Sequence, residues 1–236
     1  MHIVDLKSHS RQQGRAFTLV EMLVVIAIMS VLMTAGAIGL GNMSGKGVTS
    51  GVAAAESLFD EARTIAISQR THARVLVANS LTHNPAENLR RLVVVSAEID
   101  SATKLEKIPQ TWILSSRGVL LPDQVFFSQD YSKETQKTGT GSIKVDTLTS
   151  VKAPYQGSYF YYEFSAEGIC TTPGAGFVIG AGARNVKTPT EKPRVTAAGK
   201  RDFGGFVVWR NGRTSLFRSP TQIASSIQSI NSGSPF

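Results

Sequence analysis

The sequence opens with a polar stretch followed by a long apolar run, and this contrast is its strongest pattern. Residues 1–16 are polar and carry Lys7, Arg11 and Arg15 against one acid, Asp5. Residues 17–40 are mostly apolar and contain a single charged side chain. At a rise of about 1.5 Å per residue, a helix of this length would cross a hydrocarbon core about 30 Å thick. The basic flank before it predicts a cytoplasmic N-terminus.

A glycine-rich stretch follows the apolar run, and a helical pattern follows the glycines. Each glycine inside a helix costs about 1 kcal/mol relative to alanine, so the six glycines from Gly36 to Gly51 predict a flexible or partly melted stretch. That stretch would be either a functional hinge or a plain linker. From Val52 to about Arg74 the apolar residues recur at a spacing of 3.6, which predicts an amphipathic helix that packs on a sheet.

The rest of the chain predicts an antiparallel β-sheet. The expected fold class is therefore α+β, with a long N-terminal helix (membrane anchor plus amphipathic half) packed on this sheet, and residues 52–236 form the head. Runs rich in β-branched and aromatic residues predict strands at 75–78, 92–97, 111–114, 119–127, 159–164, 177–179, 206–209 and 214–217. Asn211-Gly212, between the last two runs, predicts a two-residue hairpin turn. Two polar stretches, 128–157 and 183–204, are expected to be loops or insertions.

Glu21, the one charge in the apolar run, separates three interpretations of that run. A secretory signal peptide would have a shorter apolar core, although Ala35-Gly36-Ala37 resembles its small-residue cleavage site. A plain membrane anchor explains the length but leaves the carboxylate as an unexplained cost of about 3 kcal/mol. A cut between Ala16 and Phe17 would make Glu21 the fifth mature residue. The new α-amine would then also lie in the membrane, where it can pair with a carboxylate.

The run RAFTLVE at residues 15–21, with the apolar stretch after it, closely resembles the class III leader of type IV prepilins and type II secretion pseudopilins. In that family a prepilin peptidase cuts before the Phe and methylates its amine, and the Glu guides subunit docking. The resemblance therefore implies cleavage after Ala16, N-methylation of Phe17 and an assembly role for Glu21.

The leader departs from the family pattern at one position. The family usually has Gly immediately before the cut, whereas this chain has Ala16 there and its nearest glycine is Gly14. A cut after Gly14 would leave Arg15 at the start of the mature chain and would make Glu21 its seventh residue. The site after Ala16 is therefore favoured.

The same resemblance implies an organisation and a set of partners. Residues 1–16 would be the prepilin leader, 17–51 a transmembrane and assembly helix with a glycine-rich hinge, and 52–236 a periplasmic head. The protein would be a single-pass inner-membrane protein that later enters a filament. Its implied partners are prepilin peptidase, other pilins or pseudopilins and an inner-membrane assembly platform.

Three short segments of the head, residues 57–66, 162–168 and 206–213, resemble minor pseudopilins of the GspH and FimT type. This narrower resemblance implies a minor subunit of a type II secretion pseudopilus or of a type IV pilus. The two polar insertions depart from the compact pattern of that family.

Candidate chemistry in the head is sparse, so neither an enzyme nor a cofactor or metal site is expected. No Ser, His and acid residues form a catalytic set, and Gly180-Ala181-Gly182 lacks the third glycine of a dinucleotide loop. The single cysteine, Cys170, is expected to be a buried small hydrophobe. The aromatic run at 159–162 is either a stacking surface for a base or sugar, or a core strand with an amphipathic outer face.

The formal net charge of +8 permits contact with anionic lipid, nucleic acid or an acidic partner. Basic residues cluster around the predicted C-terminal hairpin at Lys200, Arg201, Arg210, Arg213 and Arg218. Basic groups at a hairpin tip can reach phosphates without a groove-reading helix. FimT-like pilins of DNA-uptake systems have a similar Gly-Arg pair near the C-terminus, matched here by Gly212-Arg213. A DNA-binding minor pilin is therefore the alternative function, and an ordinary solvated basic surface is the interpretation that we favour over it.

Overall fold

The protein is described by a computed structural model that divides the chain into two units, Met1–Asn42 and Met43–Phe236. The described residues are 19–41, 43–81, 84–185, 188, 191–195, 202–217 and 222–223. In the first unit the described part is one helix, α1 (Leu19–Gly41). From Leu19 to Met29 its large apolar side chains are exposed.

Among the described residues, no helix meets the length and apolarity needed to cross a membrane.

In the second unit, here called the head unit, the described residues form one long helix and eleven strands. The helix is α2 (Met43–Gln69). The strands are β1 (Ala73–Leu81), β2 (Arg91–Ala97), β3 (Trp112–Leu120), β4 (Val125–Phe127), β5 (Lys133–Thr135), β6 (Thr140–Ser142), β7 (Val145–Leu148), β8 (Gly157–Phe164), β9 (Ala175–Ala181), β10 (Phe203–Val208) and β11 (Thr214–Leu216). Short 3₁₀ helices occupy Pro85–Glu87 and Ala153–Tyr155.

The strands form two large antiparallel sheets and a small one. The five-stranded sheet has the order β3-β2-β1-β8-β7, the four-stranded sheet the order β11-β10-β9-β4, and β5 pairs with β6. Helix α2 packs against strands of both large sheets. The predicted α+β class is therefore confirmed.

Phe59 of α2 lies at the centre of the main core. It is fully buried, and its ring centroid lies 5.0 Å from those of Tyr162 and Phe206. The rings of Phe177 and Phe164 lie 5.5 and 6.3 Å away. The predicted apolar face of the helix is buried around it at Leu58, Phe59, Ala62 and Ala66 and partly buried at Ile65, whereas the predicted Gln69 is exposed. The 3.6-residue spacing thus predicted the packed face correctly.

The ends of α2 differ from the prediction at both sides. The helix already begins at Met43, so residues 43–51, which were expected to be flexible, are helical. Gly47 and Gly51 face the sheet closely, because a Cβ atom added at Gly51 would lie 2.8 Å from Cδ1 of Ile179. Glycine here permits close packing. The helix ends at Gln69, since Arg70 has a φ of 53°, a left-handed conformation typical of helix termini.

The predicted strand 119–127 is wrong, because a turn divides it. The Val125 amide donates to the Pro122 carbonyl at 3.1 Å, and Gln124 has a φ of 63°.

The prediction of the insertion 128–157 as a loop is also wrong, since it contains β5, β6 and β7. Strand β7 forms an edge of the five-stranded sheet. The described part of 183–204 contains a bridge between Ala183 and Arg194 and the beginning of β10.

The aromatic run is part of the core, so its interpretation as a stacking surface is wrong. Tyr159, Phe160 and Tyr162 are each 1% exposed. The core alternative is confirmed, but its amphipathic outer face is not found. Leu148 and Val151, both from the polar insertion, join Tyr159 in a second buried cluster. The five-stranded sheet is therefore covered on both faces.

The packing of the head unit accounts for the positions of two polar or reactive side chains, Arg74 and Cys170. The Arg74 guanidinium lies 4.0 Å from the ring centroid of Trp112 and 4.1 Å from that of Tyr161, with Glu163 and Asp146 as ionic partners. Through these cation–π contacts the guanidinium covers part of the outer face of the sheet. Cys170 is buried as predicted, and burial raises the pKa of its thiol.

Candidate functional site

The predicted processing and assembly residues lie near the start of the first unit. Ala16 and Phe17 are outside the described residues. Glu21 lies in the first turn of α1 and is exposed. The roles of these three residues therefore stay predictions.

The predicted basic hairpin exists, but its turn differs from the expected one. The Trp209 amide donates to the Arg213 carbonyl at 2.8 Å, and the Gly212 amide donates to the Trp209 carbonyl at 2.8 Å. Gly212 has a φ of 73°, the left-handed conformation that glycine adopts without strain. The loop thus has three residues, 210–212, and ends in a glycine bulge. The predicted two-residue turn is wrong.

The hairpin turn is packed rigidly against the head unit. Gly212 is buried, and a Cβ atom added there would lie 2.6 Å from both the Gly168 carbonyl oxygen and Cδ of Arg63. The Nε of Arg63 donates to that carbonyl at 3.3 Å, and the Arg210 carbonyl accepts from the Cys170 amide at 3.1 Å. These contacts fix the position from which the arginine side chains of the turn extend.

The structure brings together two of the three predicted basic residues. Arg210 and Arg213 are both exposed at the turn. Neither takes part in any of the ion pairs formed within the described residues. Arg218 is outside the described residues, as are Lys200 and Arg201. Two guanidinium groups are therefore available at this turn for an anionic ligand.

The sequence interpretation missed the outer face of this hairpin. Trp209 is 50% exposed, and its indole Nε1 donates to Oγ of Ser215 at 2.7 Å. It lines an open cavity of about 310 Å³ with Val207, Phe217, Thr135, Gln136, Lys137, Gly174 and Gln222. The alternation of Val207 with Trp209 was a signal for a second, solvent-facing side of the strand. The part played by residues 135–137 was not foreseeable, because they were expected to lie in a loop.

Comparisons with known proteins bear chiefly on the N-terminal segment. Residues 11–37 match the family model of the prokaryotic N-terminal methylation motif. None of the curated proteins matches the chain. Among solved structures, the chain is similar to the type IV minor pilin FimU of Pseudomonas aeruginosa. The sequence identity is 13%, the match covers 72% of this chain and 87% of the FimU chain, and the TM-score is 0.35.

The methylation motif includes the predicted cleavage position and Glu21. It implies a membrane-anchored N-terminus. Pilin-like proteins are processed by prepilin peptidase, assemble with other pilins and are structural subunits not known as enzymes. Residues 11–37 thus carry a prokaryotic N-terminal methylation motif, as expected for a prepilin-type leader.

Proposed function

We propose that the chain is a minor subunit of a type II secretion pseudopilus or of a type IV pilus. Prepilin peptidase would cut it after Ala16 and methylate Phe17, and Glu21 would guide its docking into the filament. The observation that carries this proposal is the methylation motif at residues 11–37. Before assembly the head would lie in the periplasm and the N-terminal helix in the inner membrane.

The surface of α1 supports a role in assembly. Its side chains from Leu19 to Met29 are all exposed, and all are apolar except that of Glu21. A contiguous apolar surface of this kind requires a covering of lipid or protein. Lipid would supply it before assembly, and the helices of neighbouring subunits and the assembly platform would supply it afterwards.

Processing gives the first test. In cells that have a prepilin peptidase, the mature chain is expected to begin at Phe17 and to carry one additional methyl group on its amine. Intact mass and N-terminal peptide analysis of the membrane-extracted protein measure both features. Ala16→Gly, which introduces the usual family residue, should be cut at the same bond. A mature N-terminus near Ile38, after Ala35-Gly36-Ala37, would instead indicate ordinary signal peptidase and would refute the proposal.

A second candidate function is DNA binding by the hairpin of a DNA-uptake pilus. It is favoured by Arg210 and Arg213, which are exposed on a rigid turn and form no ion pair within the described residues. Because the turn is short and held in place while its arginine side chains are exposed, its guanidinium groups could contact consecutive phosphates without entering a groove. An ordinary solvated surface remains the competing interpretation.

Salt dependence distinguishes these two interpretations. If Arg210, Arg213 and Arg218 each contact a phosphate, the log–log slope of affinity against salt should be about −2 to −3. Replacing Arg210 and Arg213 by alanine should make that slope shallower by about 2. A double alanine variant of the exposed Arg70 and Arg117 removes the same charge elsewhere and should leave the slope almost unchanged. Equal slopes for both double variants, or no binding at low salt, would reject the hairpin as a DNA site.

A further inference from the structure

The outer face of the C-terminal hairpin carries an aromatic surface that the core does not use. Val207 pairs with Ser215 in the β10–β11 ladder, and two positions closer to the turn the Trp209 amide donates to the Arg213 carbonyl. Cross-strand partners share a face of the sheet, so these four side chains lie on one side. The alternate residues Phe206 and Val208 point to the opposite side and are buried in the main core.

Trp209 differs from the other tryptophan of the chain. Trp112 is 7% exposed and packs against the Arg74 guanidinium, whereas Trp209 is 50% exposed. The hydrogen bond from its indole to Ser215 fixes the ring on the sheet. A large flat side chain that is already held in place loses little conformational freedom when a ligand covers it. Trp209 is therefore a preorganised stacking surface.

The cavity beside Trp209 has room for a flat ring. A buried polar side chain of the protein lies at its border. The volume of the cavity is about 310 Å³, and Phe217 contributes a second aromatic wall. Gln136, which also lines it, is 2% exposed, and its Nε2 has no acceptor among the described residues. Its Oε1 accepts from the Lys133 amide at 3.2 Å, which orients the amide group. A buried donor without a partner favours a ligand that brings an acceptor.

Gly176 keeps this amide in place. A Cβ atom added at Gly176 would lie 2.0 Å from Oε1 of Gln136. Only a glycine on β9 therefore lets the side chain of Gln136 lie flat against the sheet. The insertion that carries Gln136 is thus fitted to the outer face of the four-stranded sheet.

The charges around the cavity select among ligands with a flat apolar surface. Lys137 lines the cavity, Arg213 lies opposite Trp209, and Arg210 follows Trp209 in the chain. No carboxylate is among the described residues that line the cavity. A neutral sugar could cover the indole but would leave the three cations unused. A single strand of nucleic acid presents both an exposed ring and phosphates, whereas a duplex keeps its rings stacked inside.

We propose that the cavity beside Trp209 binds one unstacked base of single-stranded nucleic acid, with the adjacent phosphates on Arg213, Arg210 and Lys137. The base would stack on the indole, and the amide of Gln136 would donate to a carbonyl or ring nitrogen of the base. This inference rests on the second candidate function, DNA binding by the hairpin, and adds to it a preference for single strands.

Tryptophan fluorescence of the detergent-solubilised full chain tests the stacking step. Three probes of equal length are compared: oligothymidylate, an abasic deoxyribose-phosphate chain and a duplex. Oligothymidylate should quench the emission, while the abasic chain should bind without quenching. Trp209→Phe should abolish the quenching and Trp112→Phe should keep it. Trp209→Ala should weaken oligothymidylate binding on the order of tenfold and leave abasic binding unchanged.

The possible outcomes distinguish base stacking on Trp209 from DNA binding by the hairpin. Equal affinity for oligothymidylate and the abasic chain, with no quenching, would overturn base stacking but leave DNA binding by the hairpin intact. Binding of none of the three probes would overturn both. Quenching by a neutral oligosaccharide but not by oligothymidylate would assign the cavity to carbohydrate and overturn the inference. Circular dichroism confirms that each variant is folded, and the Trp112→Phe chain reports on Trp209 alone even if Trp209→Ala does not fold.

Discussion

Phe59→Ala is expected to lower the free energy of unfolding of the head unit by about 3–5 kcal/mol. The ring is fully buried and lies in edge-to-face contact with four other aromatic rings. Those rings belong to both large sheets, since Tyr162 and Phe164 are on β8, Phe177 is on β9 and Phe206 is on β10. Removing Phe59 would therefore open a cavity at the place where the helix joins the two sheets. A loss of this size is a large fraction of the roughly 5–15 kcal/mol by which folded proteins are stable.

Denaturant unfolding followed by circular dichroism measures this effect. Phe59→Leu keeps most of the apolar volume and should cost about half as much or less. Ile67→Ala is a matched control on the same helix, because Ile67 is 45% exposed and its loss should cost about 1 kcal/mol or less. If Phe59→Ala and Ile67→Ala had equal midpoints, Phe59 would not be the centre of the core.

The elements that the sequence predicted well are those whose own side chains carry a periodic pattern. The buried face of α2 follows from the spacing of Leu58, Phe59 and Ala62, and β2 and β8 follow from dense β-branched and aromatic runs. The elements missed are short and polar. Residues 145–148 form β7 because β8 offers a free edge, and three of its four side chains are exposed. The sequence of a strand that forms in this way contains no pattern from which the strand could be predicted.

In the candidate hairpin, too, features that depend on neighbouring residues could be predicted, whereas features that depend on tertiary contacts could not. Asn211-Gly212 located the turn correctly, because a left-handed glycine is a local requirement. The turn type depends on how Gly212 packs against Gly168 and Arg63, which come from distant parts of the chain. The cavity beside Trp209 likewise needs Gln136, brought to β9 by the insertion. Sequence patterns could therefore place the arginines but not the surface beside them.

Glu21→Ala is expected to leave cleavage intact and to reduce incorporation into the filament by roughly tenfold to a hundredfold. Before cleavage the nitrogen of Phe17 lies in a peptide bond and carries no charge. The proposed cleavage would create an ammonium group four residues before Glu21, within an apolar segment where a charge costs about 3 kcal/mol. In the proposed filament, Glu21 of one subunit would pair with this ammonium of a neighbour. Losing an interaction of about 1.4–3 kcal/mol reduces association by the factor stated.

Co-purification with the other pilin or pseudopilin subunits, compared with the amount of mature chain in the membrane, measures incorporation. Glu21→Gln keeps the size and polarity of the side chain but removes its charge, so it should resemble Glu21→Ala if pairing of charges drives docking. Glu61→Ala removes one exposed carboxylate from α2 and should incorporate normally. Accumulation of uncut precursor in the Glu21 variants would place the carboxylate in peptidase recognition. Normal cleavage with unchanged incorporation would show that Glu21 has no role in docking, and the apolar surface of α1 would then have to account for assembly without it.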